Sequence, residues 1–488
     1  MRIKNFSFRF LILFLILINI TNQISAKKMS NSVAHISALD STTVLHKKPL
    51  ALKPLLGWNS YDSYRNHIGE KEALLNLETF AKKLAPYGYE YFVIDLGWYS
   101  ENASIPGSIR PMNCDPYDFA LDANGYPIGS KTYFPNGIKA IADRVHKLGV
   151  KFGLHMMRGM VRKAYIFNLP VKGTPYRMRD IADTTNICSW ANFTYGVDMN
   201  KPGAQEYYDG LIEHLADMGV DFIKYDDIVP YPLEMEAIGK ALAKCKREIV
   251  LSMSPGDETT PKNKHHYQWG HLLRITSDIW DSHASLNASF KRWRDWQGKA
   301  EPGFWPDMDM LCLGTLSGMI DPLTKDARTK IKPQDVVLSD IDSIFFRPSN
   351  FTQAQERTFI TMRALCASPM FMGGCLIRSE QRVFDLITNN DILACNQNGI
   401  CGTLQSEKQL LEIWRTPKVT QSSQGWIGIF NRSEKESLTS ILTLKDMGLP
   451  KGSYLFRNIF TNEVFKPGKP ITIGADDVVF LEYSIINK

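Results

Sequence analysis

The chain has 488 residues, 44% of them hydrophobic and 22% charged, with a formal net charge of +6. This composition describes a globular protein able to bury a large core and divide into two domains, one of them big. Arg2, Lys4 and Arg9 supply part of the positive charge, so a processed chain is nearer neutral and no nucleic-acid partner is implied.

Met1-Arg2-Ile3-Lys4 and Arg9 precede an apolar segment over residues 10–20, then Ile24-Ser25-Ala26-Lys27. This predicts a secretory signal peptide over residues 1–26, cleaved after Ala26. The apolar segment is short for a membrane span, so no stable insertion of the mature chain is expected, and its place is the periplasm or the cell exterior. Residues 27–50 are polar, without periodicity, and read as a disordered leader. The eight cysteines (Cys114, Cys188, Cys245, Cys312, Cys366, Cys375, Cys395 and Cys401) are neither a disulfide framework nor the close pairs of a zinc site. Buried thiols are the expectation for most, with Cys395–Cys401 or Cys114–Cys188 the pairs an oxidising compartment could join. Sequons begin at Asn102, Asn192, Asn287, Asn350 and Asn431.

From about residue 51, short apolar runs recur at 55–58, 91–98, 151–157, 221–227, 249–254, 272–278, 304–310 and 369–373. Between them, residues 70–84, 137–148, 204–218 and 233–245 carry apolar side chains at helical spacing. Strands alternating with helices over residues 51–400 predict an α/β fold, a (β/α)8 TIM barrel with long loops. The alternative, a doubly wound open sheet, lacks its Gly-rich turn after the first strand. After Asn396-Gln397-Asn398-Gly399 the texture changes. Alternating segments at 410–415, 425–431, 439–444, 452–458, 463–467 and 477–483, with Gly and Pro turns between, predict a C-terminal antiparallel β-sandwich over residues 403–488.

The central stretch is Gly219-Val220-Asp221-Phe222-Ile223-Lys224-Tyr225-Asp226-Asp227, a core strand ending in a lysine and two carboxylates. The C-terminal ends of parallel strands are where barrels and open sheets bind substrates. Asp227 also suits the cap of the following helix. The other predicted strand ends hold Trp58, Asp95 and Trp98, His155 and Arg158, Arg274 and Asp278, and Trp305, Asp307 and Asp309. Carboxylates that accept from hydroxyls, cations that donate and indole faces that pack on C–H bonds together suit a sugar. Two carboxylates across such a pocket can hydrolyse a glycoside, one attacking the anomeric carbon and the other passing a proton to the leaving oxygen. Lys224 shares a strand face with Asp226 and keeps it ionised; Asp278, with Trp280 nearby in a more apolar surround, holds the proton.

These residues resemble glycoside hydrolase family 27, whose members include α-galactosidases and α-N-acetylgalactosaminidases, from about Leu55 to the C-terminus. The resemblance is carried by Gly57-Trp58-Asn59-Ser60, Ile94-Asp95 with Trp98, Lys224-Tyr225-Asp226, Arg274 with Asp278, Asp307-Met308-Asp309-Met310-Leu311 and Leu386-Ile387-Thr388-Asn389-Asn390. It implies a retaining mechanism without a cofactor, with Asp226 as nucleophile and Asp278 as acid/base. Lys224 and Asp95 would bind sugar hydroxyls, Arg274 the region of carbon two, and Trp58 a ring face. From their strand ends, His155, Arg158, Trp305 and Asp307 complete the substrate-binding set, with His155 alternatively behind the residues that touch the sugar, Trp58 alternatively in the core, and Asp307 and Asp309 alternatively fixing a loop.

Where the galactosidases have a second adjacent aspartate at strand two, this chain has Leu96, and Met253-Ser254-Pro255-Gly256 replaces the residues that read the carbon-two substituent. The leading expectation is a secreted α-galactosidase acting on an oligosaccharide or polysaccharide. The alternatives are a glucose, β-L-arabinopyranose or N-acetylgalactosamine glycone, a catalytically dead carbohydrate-binding protein, and a metal-dependent hydrolase built on His155. The sandwich is expected to pack on the barrel, with Trp426, Phe430, Tyr454 and Phe456 in its core.

Overall fold

The computed structural model describes residues 46–101, 116–256, 258–318, 337–338 and 345–486. The signal segment, most of the leader, Asn102 and Cys114 lie outside the described residues. An eight-stranded parallel sheet forms first: β1 (Leu56–Asn59), β2 (Tyr91–Ile94), β3 (Lys151–Met157), β4 (Phe222–Asp226), β5 (Val250–Met253), β6 (Leu272–Arg274), β7 (Trp305–Asp307) and β8 (Met370–Met372). Neighbours in sequence are neighbours in space, and β1 also pairs with β8, Leu56 opposite Met370. The wall closes just past β7, where Leu311 bridges Met372 in parallel. Leu311 N–H donates to the Phe371 carbonyl at 2.7 Å, and Gly373 N–H to the Leu311 carbonyl at 2.9 Å.

Helices α1 (Glu70–Lys83), α2 (Ile138–Lys147), α3 (Ala204–Asp217), α4 (Pro232–Lys244), α5 (His283–Trp296) and α6 (Gln353–Leu365) surround the sheet, and α7 (Gln381–Ile387) and α8 (Asn390–Gln397) follow β8. Helix α1 has Glu70 and Glu72 in its first turn and Lys82 and Lys83 in its last, each complementing the helix dipole. Helix α6 is fixed at its start by a Thr352/Gln355 capping box. This is the (β/α)8 barrel that the sequence predicts.

The two-residue period of the strands makes two cores. Tyr91, Val93, Phe222, Val250, Leu272, Trp305 and Phe371 fill the barrel axis, while Phe92, Ile94, Ile223, Leu251 and Leu273 face the helices. The second region is antiparallel: β9 (Thr403–Lys408), β10 (Leu411–Pro417), β11 (Gln424–Asn431), β15 (Val478–Ile485) and β13 (Tyr454–Asn458) form one sheet in that order, and β12 (Leu438–Ile441) pairs with β14 (Pro470–Ile473). Ile413, Ile427, Ile429, Phe456, Ile473 and Leu481 share its own core. The expected strand at 463–467 is reduced to one bridge, Arg457 with Val464, and β9 and β14 are strands the alternation did not reveal. Both are largely exposed edge segments, where polar residues blur the pattern.

Phe456 is buried in that core as expected and Tyr454 packs at its edge, whereas Trp426 and Phe430 are buried in the cluster shared with the barrel, Phe430 lying 5.2 Å from the Phe290 ring of α5. Trp414 stacks on Trp293 of α5, ring centroids 3.8 Å apart, so the antiparallel region packs against the barrel helices. Cys188, Cys245, Cys312, Cys366, Cys375, Cys395 and Cys401 are free, buried thiols, which corrects the suggested Cys395–Cys401 bridge. Among the described residues no helix is long and apolar enough to cross a membrane.

Candidate active site

Strand parity builds the cleft. On β4, Phe222, Lys224 and Asp226 point to one side: the phenyl ring fills the barrel axis, and the two polar groups stand above it. The same phase brings Asn59 from β1, Asp95 from just past β2, His155 from β3, Ser252 from β5, Arg274 from β6 and Asp307 from β7 to the C-terminal mouth. Asn59, Lys224, Ser252, Ser254, Arg274, Asp307 and Asp309 line a cleft over Phe222 and Phe371 at this mouth.

A polar chain runs across its floor. Asn59 Nδ2 donates to Asp95 Oδ2 at 2.7 Å, and Lys224 Nζ donates to the same oxygen at 3.1 Å; Asp95 Oδ1 takes the Leu96 N–H at 2.8 Å. Lys224 Nζ also lies 4.0 Å from Asp226 Oδ2, which meets His155 Nε2 at 2.8 Å. Burial alone would raise both carboxyls, but Lys224 and His155 overcome it and hold Asp226 and Asp95 below the usual carboxylate range. Asp226 is therefore an ionised carboxylate at the cleft.

Arg274 spans to the other side. Its Nη1 donates to Asp278 Oδ1 at 2.7 Å and lies 3.6 Å from Asp309 Oδ2. Asp309 Oδ2 accepts the Ile279 N–H at 2.8 Å, pinning the loop that carries Asp278. Asp307 Oδ1 accepts the Asp309 N–H at 3.0 Å. Burial and the Asp309 charge push the Asp307 carboxyl up to about 7.

Several sequence-based placements are corrected. Trp58 is out of phase with the cleft: it is fully buried against Phe92 and Tyr64, and its Nε1–H donates to the Gly374 carbonyl at 2.9 Å. Trp305 has the right phase but lies at the opposite end of its strand, bonded to the Ala51 carbonyl at 2.7 Å and plugging the barrel floor. Arg158 is outward and fully buried. It donates to Asp227 Oδ2 at 3.0 Å, Glu234 Oε1 at 2.8 Å and Asn186 Oδ1 at 3.0 Å, and lies 3.5 Å above the Tyr231 ring, so it has no nitrogen to offer a sugar. Asp227 serves this clamp instead of capping α4, whose N-cap is Tyr231.

His155 is buried behind Asp226 and orients that carboxylate. The apolar surround expected for Asp278 is absent: its side chain is 58% exposed and paired with Arg274, while the Trp280 ring is covered by the Arg65 guanidinium at 3.8 Å. Asn59 was read at the strand-one tip without a role, and Ser252 was missed, although the parity that places Lys224 would have found both. Tyr61, which follows Asn59 at the same tip, was likewise given no role; its ring lies 5.5 Å from Lys224 Nζ. Among the described residues no group of three His, Cys, Asp or Glu side chains is arranged to hold a metal ion.

Paired carboxylates and cations at the C-terminal mouth of a (β/α)8 barrel define a barrel hydrolase of the sugar-cleaving kind. The family model described as alpha galactosidase A matches residues 186–331. Alpha-galactosidase 2 of Arabidopsis thaliana is 24% identical over 415 residues, covering 83% of this chain and 82% of that protein. Alpha-galactosidase A of Cellvibrio japonicus is 26% identical over 399 residues, covering 75% and 74%. Among solved structures, a family 27 β-L-arabinopyranosidase from Geobacillus stearothermophilus, in complex with arabinose, superposes with a TM-score of 0.79 at 31% identity, covering 90% of this chain and 98% of that one. The chain belongs to glycoside hydrolase family 27.

Proposed function

We propose that this glycoside hydrolase is a retaining exo-glycosidase for terminal pyranosides of galacto configuration, and that it accepts β-L-arabinopyranosides ahead of α-D-galactosides. Asp226, ionised beside Lys224 and oriented by His155, attacks the anomeric carbon. Asp278 protonates the leaving oxygen and then deprotonates the water that releases the sugar. Asn59, Asp95 and Lys224 hold the ring hydroxyls, and Arg274 and Asp307 face the remaining cleft. A secreted or periplasmic enzyme, acting after removal of residues 1–26, fits an extracellular saccharide.

The observation that carries the glycone preference is the occupancy of Asp95 beside Leu96. A carboxylate has about four acceptor positions, and Asn59, Lys224 and the Leu96 N–H already use the two Asp95 oxygens. One ring hydroxyl can still be accepted, and the Leu96 side chain offers nothing to a second. β-L-Arabinopyranose is α-D-galactopyranose without its hydroxymethyl group, so it leaves no hydroxyl unpaired there. An unmade bond of this kind costs about 1–3 kcal/mol, or roughly 10- to 100-fold in kcat/KM. The similarity to α-galactosidases supports galactosides as the second substrate.

The test is hydrolysis of matched aryl β-L-arabinopyranoside and α-D-galactoside by the wild type, Leu96→Asp and Asp226→Ala. Asp226→Ala should lose at least about a thousandfold in rate, and azide should restore turnover by forming a glycosyl azide. Leu96→Asp should move preference towards the galactoside. An inverted first-formed product would sink the retaining mechanism, and a galactoside preference in the wild type would sink the glycone order.

A further inference from the structure

The turn after β1 holds an arginine in a conformation that suits glycine. Arg65 has φ 53° and ψ −130°, a region that residues with a Cβ occupy only under strain. Only 4% of the residue is exposed, and its Nε is sealed from solvent without an acceptor. The guanidinium lies 3.8 Å from the Trp280 ring centre and 5.4 Å from that of Tyr61, and it makes no hydrogen bond or ion pair with the described residues. Asp62, in the same turn, makes no ion pair with it: burial and Asp309 push the Asp62 carboxyl well above the usual range, and the Arg65 charge opposes them only in part. Asp278 is already taken by Arg274. A nearly buried, unpaired cation on a strained backbone is costly to keep unless something outside the chain completes it.

Its position indicates what that is. Trp280 lies two residues beyond Asp278, the proposed acid that meets the leaving oxygen, while the Tyr61 ring, 5.4 Å from the Arg65 guanidinium, is also 5.5 Å from Lys224 Nζ of the glycone floor. Resting on the retaining-glycosidase reading above, we propose that Arg65, held between Trp280 and Tyr61, binds an anionic group on the leaving-group sugar. The substrate is then an acidic saccharide whose terminal neutral pyranose is attached to a charged unit, a uronic acid foremost. A guanidinium matches a carboxylate in shape, and the two rings hold its plane for a paired contact.

The test uses the full-length protein and three disaccharides with one glycone: joined to a uronic acid, to the methyl ester of that uronic acid, and to the matching sugar bearing a sulfate. Wild type should cleave the acid with a kcat/KM about 10- to 100-fold above the ester, the scale of one charge-assisted contact. Arg65→Gly should abolish that ratio while melting no earlier than wild type, since glycine suits the backbone there. Arg65→Lys should retain part of the ratio.

Preference for the sulfate over the carboxylate would keep the anionic subsite and change its source. Equal rates on acid and ester in the wild type, or a preference that survives Arg65→Gly, would overturn the proposal. Calorimetric binding of the acidic disaccharide to Asp226→Ala, with and without Arg65→Gly, separates the two readings. Arg65-dependent binding without turnover in the wild type supports the subsite and defeats the glycosidase assignment.

Discussion

Asp307 is the cleft carboxyl whose charge changes near neutrality. Its folded pKa of about 7 lies above the ordinary 3.8, so the native state binds more protons than the unfolded chain between those values. Stability must therefore fall as pH rises through that window, by on the order of 4 kcal/mol in all. Asp307→Asn removes the titration and keeps the acceptor for the Asp309 N–H. The melting temperatures of variant and wild type should coincide near pH 4 and separate by pH 8 in favour of the variant; a gap independent of pH would contradict the assignment. That Asp307 faces the cleft was legible in the sequence, but its protonation was not, since that depends on Asp309 and on burial. Trp58 shows the complementary failure. An indole at a predicted strand tip suits a sugar face, yet one residue of register sends it into the helix layer and leaves Asn59 in the cleft.

Among the elements, the junction of β3 and β4 depends on Arg158. Its partners Asp227 and Glu234 are 69 and 76 residues away, so no local pattern could separate a clamp from a ligand-binding arginine. The strands themselves were readable because each is a short run of mostly apolar residues between helical patterns, and parity then orders their polar tips. Asp227 adopts φ 60° directly after Asp226, and the clamp holds that turn. Arg158→Met leaves two carboxyls without their partner and should cost about 3–5 kcal/mol in urea denaturation. Adding Glu234→Gln should recover part of the loss. If Arg158→Met unfolds at the wild-type midpoint, the clamp does not carry the junction.

At the scale of the molecule, the barrel and the antiparallel region meet through a buried polar and aromatic seam. Trp414 stacks on Trp293, and its Nε1–H donates to Glu412 Oε2 at 2.9 Å; the fully buried Glu412 also pairs with Arg294 and Arg432. His283 at the start of α5 meets Asp476, to which Gln355 of α6 also donates, and Arg357 pairs with Asp477. Calorimetry should show one unfolding transition for both regions, and Trp414→Ala should destabilise it by about 3–5 kcal/mol. Two separated transitions in the wild type would show that the regions fold independently. The composition shift after Gly399 announced the second region, but this contact was not legible, because an aromatic in a strand reads alike as core or interface.

The closure of the barrel also bears on synthesis. β1 is the first wall strand made, and its second neighbour, β8, is the last. The Leu311 bonds to Phe371 and Gly373 also wait for β8. On the ribosome, Asp226 and Asp278 are therefore made while the wall still has two open edges, and the cleft gains its finished shape only when β8 emerges to join both.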